Sequence, residues 1–442
     1  MSRNGAFLLL LTVVLAARVP GAEAANRVDS LTVEACVELA RHRAPAVVAA
    51  DLLREGAAYE SSAVAKNGRP NLAFVGRALI APKGFYDPAI TNLGEYETKL
   101  VLDYALLDGG QRSRARARGA LELASARLEA ATQARDIGLQ AADLATTVLR
   151  LREVEHSQRQ SLDWIDRLGT LMRGAVRAGA RSTTDSVRIA LERNTAEAAL
   201  EKTLFDRRTS EIDLMALMGL GADSTLVVLP PETPERPPVM EDSLRIMASI
   251  DQQPEISLAR VEEQRRQIDL IEAKRTRAPS VDLSLDAGLA GTGLTEWVPG
   301  ELRAADPDAT FADRLRRDLG ASATINVRAP ITQSGARQSK MGKTMAVRAA
   351  AMKRESEVFT QRKVALELLA RWHSAYHMLE TASRASVGAD QNLLRVKSLY
   401  SGGAIQLLDL LDARRVQQEA LERLAEARQE SRSAQIRVED RE

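Results

Sequence analysis

The stretch PEISLARVEEQRRQIDLIEAKRTRAPSVDL, Pro254 to Leu283, decides the fold because the chain carries it twice. Its counterpart is PAVVAADLLREGAAYESSAVAKNGRPNLAF, Pro45 to Phe74. Each reads as a helix opened by one proline and closed by another, Pro70 or Pro279, and then as a strand. The likeness continues downstream. LVLDYALLDGGQRSRARARGA (Leu100 to Ala120) aligns with INVRAPITQSGARQSKMGKTM (Ile325 to Met345), and GARSTTDSVRIA from Gly179 aligns with GAIQLLDLLDAR from Gly403. A plan repeated in this order points to duplication. The second copy has the longer loop between its strands. The copies meet at LPPETPERPP, residues 229–238.

The strand patterns alternate. In Val281 to Ala287 every second residue is apolar, and Asp282, Ser284 and Asp286 fill the other face. Ala323, Ile325 and Val327 alternate with Thr324, Asn326 and Arg328. Leu100, Leu102, Tyr104 and Leu106 alternate with Lys99, Val101, Asp103 and Ala105, and residues 71–80 show a weaker version. Such a period fits a half-buried sheet in a soluble domain. It fits equally a membrane barrel, apolar toward lipid and polar toward a wet lumen. Four strands are too few to close a barrel, so a barrel needs strands from several chains.

The helical patterns favour the barrel. No proline interrupts residues 89–229 or 331–442, and residues from about 112 to 176 are strong helix formers. About 60 residues at ~1.5 Å each give about 90 Å of helix. Ala413, Val416, Ala420, Leu424 and Ala427 form a coiled-coil seam of small residues. Each long pattern breaks once, at Gly179 and at Gly402-Gly403, where glycine lets a helical hairpin reverse.

The composition narrows the class further. Aromatic residues are 3% of the 442-residue chain, which suits thin layers of small aliphatic side chains. Lys+Arg number 61 and Asp+Glu 60, a net charge of +1, so nothing attracts nucleic acid. Arg3, the apolar run Ala6 to Ala17 and the Ala22-Glu23-Ala24 site read as a secretory signal over residues 1–24. The single cysteine, Cys36, forms no internal disulfide, and as a lipidation site it has a poor flanking sequence in Glu34-Ala35. No run is long enough for a transmembrane helix.

An exported chain with two strand pairs and two long helical hairpins resembles the TolC-type outer-membrane efflux proteins. SLTVEACVELARHRAP (Ser30 to Pro45) is similar to the family's opening helix, LLDGGQRSRARA from Leu106 to its strand-to-helix corner, and YSGGAIQLLDLLDARR (Tyr400 to Arg415) to its helix tip. The resemblance implies a mainly α fold with a small β part: long antiparallel helical hairpins forming a coiled-coil barrel, and four membrane strands per chain. Three copies would complete a 12-stranded barrel in the outer membrane. The partners implied are a periplasmic adaptor protein, an inner-membrane transporter of the RND or ABC type, and outer-membrane lipid. On this plan residues 25–218 are the first repeat, with strand pair 71–107 and tip near 178–183. Residues 219–250 are a proline-rich equatorial linker, and residues 251–442 are the second repeat, with strand pair 280–330 and tip near 401–405.

The resemblance also assigns residues. Asp409 and Asp412 would form rings of carboxylates at the periplasmic entrance, although both also suit a solvated helix face. Tyr400 and Asp185 would form a lock between neighbouring helix tips, weakened where Ile405 replaces an arginine found in some relatives. RAGARS gives Arg177, Gly179 and Ser182 as adaptor contacts, with Gly402 and Gly403 on the other tip. Asp282, Ser284, Asp286, Thr324, Asn326 and Arg328 would face the lumen.

Other signals carry less. His373 and His377 share a helix face with Glu380 nearby, too few ligands for an ordinary zinc site. MGKT (Met341 to Thr344) lacks the upstream glycine of a phosphate loop, and GLAGTG (Gly288 to Gly293) is expected in the long loop between strands. No nucleophile–histidine–acid set is visible, so neither an enzyme nor a cofactor is expected. A soluble periplasmic scaffold or chaperone is the rival reading. It explains the helices and leaves the four strands unused.

Overall fold

The computed structural model describes residues 28–79, 95–179, 181–221, 225–231, 235–292, 297–298, 300–332 and 334–441. The expected signal segment lies outside them. The first repeat runs α2 (Pro45–Lys66), β2 (Asn71–Leu79), β3 (Glu95–Asp108), α3 (Gln111–Arg177) and α4 (Thr183–Leu217). The second runs α6 (Pro254–Lys274), β5 (Ser280–Thr292), β6 (Leu319–Arg328), α9 (Ala336–Ser401) and α10 (Leu407–Glu439), with α7 (Gly300–Ala305) and α8 (Phe311–Asp318) inserted between its strands. Before the first copy come β1 (Val28–Thr32) and α1 (Val33–Arg43). Between the copies lie β4 (Thr225–Leu229), α5 (Met240–Ser249) and the 3-10 turn Ile250–Gln252. The same element order thus occurs twice. Among the described residues no helix is long and apolar enough to cross a membrane.

Contacts gather the chain into two compact units that cut across the repeats. Of the described residues, one holds those up to 44, those in 138–235 and those in 379–433, and the other holds those in 45–137, those in 236–378 and those from 434 on.

In the first unit β1 and β4 pair in parallel over five residues. The opening helix therefore starts later than the sequence suggests. Thr32 ends β1 and caps α1, its hydroxyl accepting the Ala35 N–H at 3.3 Å. Cys36 is fully buried inside α1. Burial, and then the Glu34 carboxylate, push its thiol up to about 11, so the sulfur stays protonated and poorly reactive. Arg152 of α3 holds β4 in place, donating to the carbonyls of Leu226 and Val228 at 3.1 and 2.9 Å and pairing with buried Glu211. Arg207 bridges Glu211 to Glu155, so both buried acids are paired. Helix α10 is joined to α3 by polar contacts along its length: Gln418 to Ser157, Arg428 to Glu153, Gln429 to Thr147 and Ser433 to Asp143. Of the small-residue seam, Ala413 and Ala427 are buried but Val416 is exposed. The polar side chains beside the seam hold α10 to α3.

In the second unit Ile246, Ile250, Ile256, Ala365, Leu369, Ala434 and Val438 enclose Trp372, a fully buried indole. The Arg236 guanidinium lies 5.0 Å from the Trp372 ring centre and makes two hydrogen bonds to buried Asp242, at 2.8 and 3.0 Å. Asp242 also accepts the Val239 N–H at the start of α5. Arg236 first, and that N–H after it, hold the Asp242 carboxyl below the usual carboxylate range, against the pull of burial. An acid held low in the folded state contributes stability that is full above its unfolded value, about 4, and is lost as pH falls through the folded one. Asp242→Asn is therefore expected to lower the melting temperature at pH 7 and to narrow the gap between variant and parent at pH 3. A gap that stays constant with pH would contradict this.

The sheet of this unit is antiparallel throughout, in the order β2-β3-β5-β6. Among the described residues, both outer strands, β2 and β6, have one edge unpaired. A bulge between Ala105 and Leu107 shifts the pattern, so Leu107, rather than Leu106, stands opposite Val281. The GLAGTG stretch, expected as loop, instead extends β5 to Thr292. Gly288 accounts for this. A Cβ there would fall 2.1 Å from the Thr98 carbonyl oxygen, so only glycine lets β5 approach β3 so closely. The loop helix α8 is tied back to this end of the sheet. Its buried Arg314 pairs with Asp318 at 3.3 Å, and the Tyr96 hydroxyl donates to the same carboxylate.

Candidate functional site: a two-faced sheet and paired helix tips

Register sorts the strand residues onto two faces. Asn71, Asp103, Ser284 and Thr324 stand in one cross-strand row, and Ala105, Asp282 and Asn326 in another. Val101, Asp286 and Ser322 form a third, and Asp108, Ser280 and Arg328 a fourth. All six residues assigned to the lumen therefore lie on one face. Hydrogen bonds cross that face from Ser284 to Asp103 at 2.7 Å and from Ser322 to Asp286 at 2.6 Å. The opposite face carries Leu72, Phe74, Leu100, Leu102, Tyr104, Leu283, Leu285, Ile325 and Val327. It is open: Phe74 is 69% exposed, Ile325 63% and Val327 69%. A soluble sheet would cover such a face.

The helix tips come together. Ile165, Met172, Ile189, Leu407 and Leu411 form one buried cluster, with Trp164, Leu168, Val176 and Tyr400 packed against it. It joins the α3–α4 turn to the α9–α10 turn. Helix α9 ends where Gly403 adopts φ +74. Its N–H donates to the Tyr400 carbonyl, and the Ala404 N–H reaches back to Leu399 at 2.9 Å, closing the last turn. Gly402 donates to the Ser398 carbonyl. At the other tip Arg177 ends α3, Gly179 takes φ +71, and Ser182 caps α4 by accepting the Thr184 N–H at 3.1 Å.

The charged tip residues have local partners. Asp409 accepts the Gln406 N–H at 2.9 Å and so caps α10. Asp412 pairs with Arg415 at 2.7 Å, and Arg415 also reaches Glu419. No hydrogen bond joins Tyr400 to Asp185 within the chain among the described residues. Asp185 lies half-buried in the first turn of α4, and the Tyr400 ring instead faces Arg181 at 5.2 Å. Arg414, whose guanidinium burial pulls below its ordinary value, lies over Trp164 at 5.6 Å and donates to Ser161. Sequence reading missed Arg181, Trp164, Arg414 and Arg415. Only Arg415 carried a local signal, standing one helical turn after Asp412.

The remaining candidates stay apart from any site. MGKT lies inside α9. Among the described residues no three His, Cys, Asp or Glu side chains group as a metal site, His373 and His377 included.

No family model matches the sequence, and no curated protein matches it either. Solved structures do match, and along nearly the whole chain. The outer-membrane protein VceC of Vibrio cholerae superposes with a TM-score of 0.75 at 16% identity, covering 92% of this chain and 94% of its own. The CmeC outer-membrane channel of Campylobacter jejuni gives 0.76 at 13% identity, covering 95% and 90%. The open state of the MtrE outer-membrane channel of Neisseria gonorrhoeae gives 0.70 at 16% identity, covering 92% and 88%. The chain therefore has the fold of the TolC-type outer-membrane channels. The proteins that share it are channels rather than enzymes.

Proposed function

We propose that this protein is the outer-membrane channel-tunnel of a tripartite efflux or type I secretion system in a Gram-negative bacterium. Three copies join β6 of one chain to β2 of the next and close a 12-stranded barrel. The apolar sheet face meets outer-membrane lipid, and Asp282, Ser284, Asp286, Thr324, Asn326 and Arg328 line the water-filled bore. The helical hairpins extend into the periplasm. Their tips meet an adaptor protein at Arg177, Gly179, Ser182, Gly402 and Gly403, and an inner-membrane transporter supplies the energy. The observation that carries this reading is the sheet itself. It is apolar and open on one face, polar and hydrogen-bonded on the other, and unpaired at both edges. A soluble scaffold gives such a face no use.

Gating at the tips follows from their chemistry. Threefold symmetry would bring Asp409, Asp412, Asp185 and Tyr400 of neighbouring chains around one entrance. The Arg415 partner of Asp412 offsets part of that ring's charge, which leaves Asp409 the larger influence on passing ions. Asp409 also caps a helix, so its charge is best removed by asparagine, which keeps an acceptor for the Gln406 N–H. In a planar bilayer with a potassium chloride gradient, the purified protein is expected to conduct with a cation-selective reversal potential. Asp409→Asn with Asp412→Asn is expected to move that potential toward zero. Conductance with an unchanged reversal potential would overturn the gate assignment, and absence of conductance would overturn the duct.

A further inference from the structure

Where the sheet meets helices α3 and α6, a cleft of about 280 Å³ opens beside the strand-to-helix corner. Arg114, Arg275 and Arg328 line it, together with Asp108, Glu272 and Ser280. Asp108, Ser280 and Arg328 are neighbours in one cross-strand row, so the cleft continues the polar face of the sheet.

The charges in this cleft are unbalanced by their own bonding. Asp108 is occupied: it accepts the N–H groups of Gly110 and Arg112 and pairs with the Arg112 side chain at 2.9 Å. Glu272 is bonded to Arg118. Neither acid reaches the three arginines lining the cleft, and among the described residues none of the three has an ion-pair partner. Two of them converge. A side chain at Gly110 would meet Arg275 Nη1 at 2.9 Å and Arg114 Nη1 at 3.1 Å, so both guanidinium groups crowd the same point. Gly110, at φ +81, leaves that point open. Arg114 is fixed by one hydrogen bond to the Gly109 carbonyl at 2.9 Å, and its Nε is buried with no hydrogen-bond partner among the described residues. Like charges held together around an open polar cleft, with a donor left over, are the arrangement that a bound oxyanion completes.

We infer that this cleft binds a phosphate-type oxyanion, with Arg114 and Arg275 as its two principal donors and Arg328 at its mouth. The cleft has room for a small organic phosphate. As a resting place for anionic cargo in the wall of the bore, the site rests on the duct proposal. As a binding site it does not, and the test separates the two.

Full-length protein in an uncharged maltoside detergent is titrated calorimetrically with phenyl phosphate and, separately, with dihexanoyl phosphatidylglycerol. Wild type is expected to bind phenyl phosphate, and Arg275→Gln to weaken binding about tenfold. Arg275 is exposed, so this change leaves folding intact. Arg114→Gln, accepted only with an unchanged circular dichroism spectrum, should do the same. Arg316→Gln with Arg317→Gln, on the distant loop helix, should bind like wild type. Tighter binding of the phosphatidylglycerol with the same dependence on Arg275 identifies a lipid headgroup as the source. Tighter phenyl phosphate binding identifies a free anion. Either supports the site. No binding at millimolar concentration, or equal binding by Arg275→Gln, overturns it. Binding by a protein that conducts no current in the bilayer would leave the site standing and remove the duct.

Discussion

Leu100→Arg combined with Ile325→Arg is expected to remove the protein from the membrane fraction. Both residues lie on the apolar face, and both are more than half exposed within the chain. An arginine on the lipid face of a membrane barrel costs about 2–4 kcal/mol near the bilayer midplane. The cost recurs at both positions in every copy, so a threefold assembly carries it six times. Per chain the two sites together cost about 4–8 kcal/mol, comparable with the about 5–15 kcal/mol margin on which a folded domain usually rests. The control uses the same chemistry on the other face. Ser284 and Thr324 stand opposite one another in the polar row, and Ser284→Arg with Thr324→Arg places the charge toward water. Sedimentation of membranes after carbonate washing should recover the control and lose the apolar-face variant. Equal recovery of the two would mean that the faces do not differ in what they touch.

Trp372→Ala is expected to cause the largest loss of stability from any single helix position. Among the described residues Trp372 is the largest fully buried side chain, and it sits in a cluster of buried aliphatic residues. Large-to-small changes at such sites cost about 3–5 kcal/mol, because the cavity closes only partly. Here the loss also strips the ring from beneath Arg236, whose guanidinium keeps its ion pairs to Asp242 and Glu439. The midpoint of urea denaturation, followed by circular dichroism, should fall sharply. Trp372→Phe should recover part of the loss, since an aromatic face remains under Arg236. A variant with an unchanged midpoint would show that the helices of this unit draw their stability elsewhere.

The parts of the fold legible in the sequence are those written in local patterns. The prolines at 70 and 279 end helices before strands, alternation sorts Asp282 from Leu283, and the breaks at Gly179 and Gly403 end long helices. The parts that were not legible depend on neighbours remote in sequence. Val28–Thr32 and Thr225–Leu229 are short and each meaningless alone. They become strands by pairing with each other and by the grip of Arg152 on the Leu226 and Val228 carbonyls. Leu106 fits a perfect alternation and still falls in a bulge, because Val281 on the facing strand pairs with Leu107. At the tips the glycines and acids could be found from spacing. The Arg181–Tyr400 contact could not, since it joins two turns more than two hundred residues apart in the chain. The arginine cleft was hidden for the same reason: Arg114, Arg275 and Arg328 come from three separate elements.

The central claim is that one chain holds a third of a membrane-spanning barrel. Native mass spectrometry of the full-length protein, released from detergent micelles, counts the copies directly. Three chains of 48.1 kDa each, less any cleaved leader, are predicted, with no stable monomer under conditions that keep the sheet folded. A folded monomer that stays soluble without detergent would contradict the account.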